Sequence, residues 1–457
     1  MKQLFLSAAT LLGMTAGAQA ADMAAKAPYY KTPVIAVYDW TGFYLGVNAG
    51  IGLGRDRTLH NNAVLGTEAL YLSPQGALGG GQVGYNWQTG SMLGPVVYGL
   101  EADIQGAGLS DGRTNLGSPF LASTYNQRID WFGTIRGRIG LATGPVLSYV
   151  TGGYAYGKVK TSIAFENSGT VFSTDKIQNG WVVGSGVEAA LGGNWTGKIE
   201  YLYLNMGNNS YAFGSQTLNT EVRENIFRVG LNYRVGGSSA YAPVVAANWT
   251  GWYLGGNFGS GTGRDRSSIV KPGDLPGDPA TSLLFNLAPD GVNGGLQLGY
   301  NWQTANWVYG LEADIQASSQ RDNKTAIDFG SLVHDARLPW FGTVRGRLGY
   351  SVGSTLFYAT GGYAYGSVKT KINEDGVQVF NVSTTKSGWT AGAGIETPFT
   401  LLGMFGPNWT SKTEYLYVDL GTASNTVNTT AVSTSITEHV FRTGLNYHFN
   451  NPVLAKY

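Results

Sequence analysis

Cysteine is absent from the 457 residues of the sequence, which excludes disulfide bonds, thiolate nucleophiles and cysteine-ligated metals. Charged residues are also scarce at 13%, against roughly 25% in an average globular domain. Because the net charge is only +1, no nucleic-acid partner is expected. No apolar run reaches the ~18 residues that a membrane-spanning helix needs. Any membrane crossing must then use a closed β-barrel, since only helices and barrels satisfy their backbone groups in lipid.

Glycine and aromatic side chains are abundant instead. The chain has 68 glycines, 27 tyrosines, 18 phenylalanines and 12 tryptophans. The glycines follow no Gly-X-Y period, which excludes a collagen-like fold. A chain with many aromatic and few charged residues is not typical of disorder. The composition therefore favours an all-β protein with closely packed strands.

The N-terminus has the pattern of a secretory signal. Lys2 supplies a positive charge, residues 4–14 are apolar, and Ala18-Gln19-Ala20 matches a small-x-small cleavage site. The sequence predicts a signal peptide over 1–20 that is removed on export. A periplasmic N-terminal segment over 21–39 follows it.

The rest of the chain consists of two copies of one sequence repeat. The stretch DWFGTIRGRIGLATGPVLSYVTGGYAYG begins at Asp130, and its counterpart PWFGTVRGRLGYSVGSTLFYATGGYAYG begins at Pro339. Likewise WTGFYLG at Trp40 returns as WTGWYLG at Trp249. Repeats of this length are complete domains or halves of one domain, not solenoid units. The predicted organisation is β-barrel repeat 1 over 40–235, a linker over 236–248, β-barrel repeat 2 over 249–449 and a C-terminal tail over 450–457.

Side-chain alternation indicates transmembrane strands within each repeat. In the segment from Trp131 to Leu141, apolar or small residues alternate with a face that carries Arg136 and Arg138, and a membrane barrel turns such a charged face toward its lumen. Long polar connections alternate with short turns, as outer loops and periplasmic turns do. The first repeat contains eight such runs of the ~9–11 residues that a tilted strand needs to cross a bilayer. They lie near 41–51, 80–89, 96–105, 131–142, 146–158, 181–191, 196–206 and 225–234.

The inward faces of these strands carry a balanced set of charges. Each repeat contributes four acidic and four basic side chains, and a charge on the lipid face would cost roughly 2–4 kcal/mol. The predicted lumen charge network comprises Glu101, Asp103, Arg136, Arg138, Glu188, Lys198, Glu200 and Arg228, then Glu312, Asp314, Arg345, Arg347, Glu396, Lys412, Glu414 and Arg442. The network could line a pore or form a plug of salt bridges. We favour the plug, because the interior of an eight-stranded barrel is just filled by side chains.

Tryptophan and histidine positions complete the pattern. Trp40, Trp87 and Trp195 are predicted to lie at the periplasmic ends of strands and Trp131 and Trp181 at the outer ends, which would give two aromatic girdles. The four histidines show no metal spacing and are predicted to be exposed. No Ser/His/Asp or paired-carboxylate set recurs in both repeats. We therefore expect no metal, no cofactor and no enzymatic activity.

Several motifs in order resemble the porin-like outer-membrane β-barrel family of Gram-negative bacteria, which has the architecture of OmpA-type barrels. They are WTGFYLG, GYNWQ, YGLEADIQ, WFGTIRGRIG, TGGYAYG, KIEYLY and FRVGLNYR. The resemblance implies an eight-stranded antiparallel barrel in the outer membrane, in contact with lipid and lipopolysaccharide. It also implies insertion by the barrel assembly machinery, exposed outer loops that contact surface ligands, and a role in the integrity of the envelope.

The duplication leaves two closures open. Each repeat can close alone, which gives two tandem eight-stranded barrels with a structural and surface-interaction role. Alternatively, the repeats can fuse into one sixteen-stranded barrel, which would be a porin for small hydrophilic solutes. We favour two barrels, because each repeat has an even number of strands and balances its own lumen charges.

Overall fold

The computed structural model of the protein describes residues 38–62, 66–92, 94–115, 123–165, 169–214, 216–236, 247–271, 281–326, 332–399 and 405–449. The predicted signal peptide, the N-terminal segment before residue 38, linker residues 237–246 and the tail 450–457 lie outside these described residues. Among the described residues, no helix is long and apolar enough to cross a membrane.

The described residues of each repeat form ten antiparallel strands. The first repeat contains β1 (Gly42–Gly54), β2 (Asp56–Asn62), β3 (Gly66–Leu72), β4 (Gln75–Ser91), β5 (Gly94–Asn115), β6 (Ser123–Thr143), β7 (Val146–Phe165), β8 (Val171–Gly192), β9 (Trp195–Phe213) and β10 (Gln216–Val235). The second contains β11 (Gly251–Gly263), β12 (Asp265–Lys271), β13 (Thr281–Leu287), β14 (Asp290–Thr304), β15 (Trp307–Ala326), β16 (Leu332–Val352), β17 (Thr355–Glu374), β18 (Val377–Pro398), β19 (Trp409–Val427) and β20 (Thr430–His448).

Eight strands of each repeat close into a barrel. The hydrogen-bonded order runs β1-β4-β5-β6-β7-β8-β9-β10, and β10 pairs back with β1. Gly50 faces Arg228 where β1 pairs with β10. At the equivalent place in the second repeat, Gly259 faces Arg442 between β11 and β20. Closure within each repeat leaves no open sheet edge in lipid. The prediction of two tandem eight-stranded barrels is confirmed, and the single sixteen-stranded barrel does not form.

Each barrel carries an additional hairpin that the sequence pattern did not predict. We expected a loop over 54–78, but β2 and β3 form there, and β2 extends the outer end of β10 with His60 opposite Leu218. The hairpin of β12 and β13 adds to β20 in the same way. These strands have seven residues each, so they are too short to match a pattern defined by the thickness of a bilayer.

The barrel strands are also longer than predicted. β5 has 22 residues and β6 has 21, although ~9–11 residues suffice to cross the membrane. The predicted strands over 96–105 and 131–142 are only their membrane portions. Beyond a register shift between Gly106 and Leu109, the two strands stay paired as far as Asn115 and Ser123. Outside the bilayer a strand needs no apolar lipid face, so its alternation is lost in the sequence.

We call the part of each barrel beyond the outer tryptophans its outer extension. That of the first barrel is packed around Tyr125, Ile163, Tyr211 and Leu218. That of the second is larger, and its core consists of Ile269, Phe285, Leu287, Leu332, Ala336, Ile372, Phe380 and Val432. The outer ends are therefore folded, with apolar cores of their own.

The barrel exterior has the polarity of a membrane protein. Ile135 and Ile139 point outward and are 56% and 55% exposed, whereas Arg136 and Arg138 between them are 1% and 4% exposed. Half-exposed tryptophans, such as Trp181, mark the ends of this apolar surface. An apolar band between aromatic girdles is typical of a barrel that spans a bilayer.

Candidate functional site

The barrel interiors contain the charged residues that strand alternation predicts to point inward. All sixteen side chains of the predicted network are at most 5% exposed. They form two separate networks, one inside each barrel. Each network draws its members from β5, β6, β8, β9 and β10 or from their counterparts β15, β16, β18, β19 and β20.

Arg136 occupies the centre of the first network. Its Nη1 lies 2.9 Å from Oε1 of Glu200, and its Nη2 lies 3.0 Å from Oδ2 of Asp103. Nη2 also donates to Glu101, and Nε donates to the Thr134 hydroxyl at 2.9 Å. One guanidinium therefore joins carboxylates from two strands, β5 and β9, and the planar fork of arginine suits such multiple contacts.

Two further cations complete the central layer. Arg228 donates from Nε to Glu200 at 2.7 Å and from Nη2 to Asp103 at 2.9 Å. The Lys198 ammonium lies 2.9 Å and 3.0 Å from the two carboxylate oxygens of Glu101. These carboxylates are thus held by charge-assisted hydrogen bonds, which are roughly twice as strong as neutral ones.

A second layer lies closer to the periplasmic end. Arg138 binds Glu188 through Nη1 at 2.9 Å and donates from Nε to the Asn86 side chain at 2.9 Å. The other oxygen of Glu188 accepts from Asn232 at 2.8 Å and from Thr196. This layer pairs one cation with one anion, and neutral side chains of Asn86, Asn232 and Thr196 contact the pair.

The second barrel repeats the central arrangement. Arg345 contacts Asp314 at 3.0 Å, Glu414 at 3.2 Å and also Glu312. Arg442 lies 2.8 Å from Asp314 and 2.7 Å from Glu414. The shared geometry follows from the repeat, since equivalent residues stand at equivalent registers in the two closed sheets.

The remaining pairs of the second barrel include a contact with a histidine. Lys412 lies 2.9 Å and 3.0 Å from the Glu312 oxygens, and Arg347 lies 2.6 Å from Glu396. The Nε2 atom of His448 also approaches Glu396, at 3.5 Å. The second barrel therefore has an imidazole beside its inner-layer carboxylate.

Tyrosines inside the lumen were missed by the sequence analysis. Tyr44 donates to Glu101 at 2.8 Å and Tyr149 donates to Glu200 at 2.9 Å. Gly84 and Gly186 make room for them, because a Cβ at either glycine would overlap a tyrosine ring. The sequence did contain a signal for Tyr44: it follows the outward-facing Phe43 in WTGFYLG, and neighbouring residues of a strand point to opposite faces.

Trp40 seals the periplasmic end of the lumen, and it is not part of the girdle to which we assigned it. Its side chain is fully buried, and the indole N–H donates to the carbonyl of Gly144 at 3.2 Å. It packs with Leu147 and Tyr149. Trp249 is equally buried in the second barrel. The prediction failed because Trp40 precedes β1 and folds inward, so strand parity does not apply to it.

The histidines were also placed wrongly, since all four are at most 8% exposed. His60 contacts the Tyr125 hydroxyl at 2.8 Å and Gln216 at 2.7 Å, and His439 contacts Tyr415 at 2.7 Å. Neither ring nitrogen of His334 has a hydrogen-bond partner among the described residues. The outer extensions bury His60 and His334. His448 instead packs against Trp249 at the periplasmic end. Within the described residues there is also no group of side chains that could hold a metal ion.

The residues of the two networks are thus arranged for mutual neutralisation. Each barrel encloses four acidic and four basic network residues, and in a medium of low dielectric constant an unpaired charge would be strongly unfavourable. Every carboxylate of the network contacts at least one cation. The arrangement binds strands together across the lumen.

Comparison with known proteins agrees with this architecture. A family model described as an outer membrane protein beta-barrel domain matches residues 6–234 and again residues 235–449. The 31 kDa outer-membrane immunogenic protein of Brucella melitensis is 36% identical over 246 residues, which is 51% of this chain and 100% of that protein. The 22 kDa outer membrane protein of Rhizobium leguminosarum is 32% identical over 209 residues, which is 46% of this chain and 82% of that protein.

Solved barrels are similar at low sequence identity. Neisserial surface protein A is 15% identical and has a TM-score of 0.22, over 43% of this chain and 98% of its own. A FadL homologue of Pseudomonas aeruginosa is 10% identical and has a TM-score of 0.27, over 90% of this chain and 91% of its own. The two family matches, on two closed barrels with apolar exteriors, establish that this chain belongs to the outer membrane protein β-barrel domain family of Gram-negative bacteria and carries its domain twice.

Proposed function

We propose that the protein is a non-conducting structural and surface-interaction component of the outer membrane. The observation that carries this proposal is the filled interior of each barrel. At the level of Arg136 the lumen contains side chains from opposite walls in direct contact, and Trp40 lies below them. A hydrated solute would have to break several charge-assisted hydrogen bonds to pass.

The role of the charge network, in this proposal, is to lock the barrel wall. Arg136, Lys198 and Arg228 each contact carboxylates from more than one strand. Breaking one partner of a buried pair typically costs about 3–5 kcal/mol. The network thus supplies rigidity and specifies register, which a barrel with an apolar interior would lack.

The outer extensions provide the surface for interaction. Residues 107–115 of β5 continue beyond Gly106, which pairs with Trp131, and at ~3.3 Å per residue and a tilt of about 40° they rise by roughly 23 Å. Their buried apolar cores hold this part in shape. A folded platform outside the membrane suits contact with molecules at the cell surface, and the loops at its tip would make that contact.

The membrane-facing partners follow from the exterior. The apolar band would lie in outer-membrane lipid, with lipopolysaccharide around the outer extensions. The signal peptide at 1–20 would direct export, and the barrel assembly machinery would insert the chain. Support for the last step comes from Phe449, which directly follows β20, is half-exposed and donates its backbone N–H to the carbonyl of Trp252 at 3.0 Å.

Planar-bilayer recording of the refolded full chain tests the proposal. Insertion would be verified by co-flotation with liposomes, and folding by a heat-dependent shift in electrophoretic mobility. We expect no stable conductance steps, and no swelling of proteoliposomes in small sugars. Reproducible large steps that depend on the protein, together with sugar-driven swelling, would contradict a sealed barrel and would favour a porin.

A further inference from the structure

One side of each barrel exterior is buried instead of facing lipid. The outward-facing Ile135 of β6 is 56% exposed, whereas Val187 of β8 and Ile199 of β9 also point outward but are only 7% and 8% exposed. At the equivalent positions of the second barrel, Ile395 and Thr413 are 2% and 4% exposed. Val187, Ile199 and Ile395 belong to one apolar cluster with members from both barrels. The two barrels therefore cover each other along this surface, which we call the seam.

Aromatic pairs in the seam are exchanged between the repeats. Tyr201 stacks on Phe441 with ring centroids 5.8 Å apart and an interplanar angle of 23°. Reciprocally, Phe227 lies 5.3 Å from Tyr415. Tyr201 and Tyr415 occupy the same place in KIEYLY and KTEYLY, and Phe227 and Phe441 begin FRVGLNY and FRTGLNY. The two contacts are therefore the same tyrosine–phenylalanine pair with the roles of the two repeats exchanged. Such reciprocal contacts define an isologous, twofold-like interface.

Each barrel has a Gly-Arg-Asp-Arg motif at its outer rim, and Arg55 and Arg264 in these motifs also make contacts between the barrels. Arg55 of the first barrel reaches the second, where its Nη2 lies 2.6 Å from Oδ1 of Asp322 and its Nη1 contacts Asp290. Arg264, its counterpart, donates from Nη2 to the carbonyl of Gly54 in the first barrel at 2.6 Å. Each barrel thus inserts one arginine into the rim of the other.

We propose that the two barrels form a stable intramolecular pair that is held by the seam and does not depend on the linker. Lipid chains are as apolar as the side chains they replace, so apolar burial alone gives little drive for association in a membrane. Close aromatic packing and the exchanged arginines supply the specificity. The partner surface of each barrel is the equivalent surface of the other. The pair presents its two outer extensions as one fixed unit, in which the Lys324 ammonium lies 5.8 Å from the centre of the Tyr71 ring.

Cleavage of the linker in the folded full chain tests the proposal. A protease site inserted within 237–246 would be cut after refolding in lipid, and the halves would then be captured by a C-terminal tag in mild detergent. We expect both halves to be recovered together. Because the chain has no cysteine, a short bifunctional thiol reagent should also join the cleaved halves of an Arg55→Cys/Asp290→Cys variant. The matched pair Ile135→Cys/Val344→Cys, on half-exposed lipid-facing positions, should give no cross-link.

A charge reversal checks the rim contacts. Arg55→Glu places like charges beside Asp290 and Asp322 and should lower recovery of the untagged half several-fold, and adding Asp290→Arg should restore part of it. The heat-dependent mobility shift verifies that each variant is folded. Separation of the cleaved halves with the seam unmodified, or a thiol pair at the rim that reacts no better than the control pair, would overturn the proposal.

Discussion

Lys198 and Glu101 meet across the lumen of the first barrel, with the ammonium 2.9 Å and 3.0 Å from the two carboxylate oxygens. Lys198 lies on β9 and Glu101 on β5, which are opposite strands of the eight-stranded ring. Lys412 and Glu312 repeat the contact at the same two distances in the second barrel. The interior therefore connects walls that share no backbone hydrogen bond.

The first prediction uses this pair. Lys198→Met should destabilise the barrel by about 3–5 kcal/mol, because it leaves a buried network with one excess negative charge. Glu101→Gln alone should leave one excess positive charge and be destabilising as well. The double variant restores the balance and should be more stable than either single variant. Urea unfolding in detergent, followed by tryptophan fluorescence, measures all three; additive losses in the double variant would contradict the coupling.

The second prediction compares two arginines of the same barrel. Arg136→Ala should lower the free energy of unfolding by about 3–5 kcal/mol, since it leaves Glu101, Asp103 and Glu200 without their shared donor. Arg128→Ala is the matched control: its side chain is 61% exposed and paired with Asp130, and such surface pairs contribute at most about 1 kcal/mol. Equal shifts in the denaturation midpoint would show that the interior network does not stabilise the barrel.

Strand alternation was sufficient to predict the number of barrel strands, whereas the closure of each repeat was inferred from its even strand number and its balanced lumen charges. Alternation identifies which side chains point inward, as for Arg136 beside Ile135. It does not determine which inward residues meet, because that depends on the stagger of the strands around the ring. The contact of Lys198 with Glu101 is an example, since their strands are not neighbours.

Other features could not be predicted from the alternation of membrane-spanning strands. Trp40 lies before the first strand, so its inward position depends on the end of the chain folding back under the lumen. The outer extensions are strands in water, with burial governed by a separate core, and their alternation therefore differs from that of the membrane portion. The same cause buried His334, which we had expected to be exposed.

The third prediction concerns this histidine. Burial lowers the pKa of His334 to about 4, with the nearby Asp335 opposing the shift. Between pH 6.5 and 4 the unfolded chain binds a proton that the folded outer extension does not. Its free energy of unfolding should therefore fall by up to about 3 kcal/mol as the pH drops through this window, and change little above pH 7.

Hydrogen exchange of peptides from the outer parts of β16 and β17 measures this dependence, after correction for intrinsic exchange rates. His334→Leu removes the titrating group and keeps an apolar side chain against Phe285. In this variant, the free energy of unfolding of the outer extension should lose the part of its pH dependence that His334 contributes. An identical slope in the variant and the unmodified chain would rule out His334 as the cause.

The fourth prediction tests the orientation of the barrels. Leu284 on β13 is 73% exposed, and Met92 in the turn after β4 is 98% exposed at the opposite end. With no native cysteine to interfere, Leu284→Cys should react with a membrane-impermeant maleimide on intact cells. Met92→Cys should react only after the outer membrane is permeabilised. The reverse pattern would mean that the outer extensions face the periplasm.

The last prediction concerns the independence of the first repeat. A chain of residues 21–236 contains all strands of its ring, and the pairing of β1 with β10 closes it without the second repeat. Its seam residues would face detergent, which is as apolar as the surface they lose, so the cost of exposing them is small. We expect this half to refold in detergent and to show a heat-dependent mobility shift. A chain of residues 21–192 lacks β9 and β10 and should not fold, because both sheet edges would stay unpaired. Failure of the 21–236 chain under conditions in which the full chain refolds would show that closure requires both repeats.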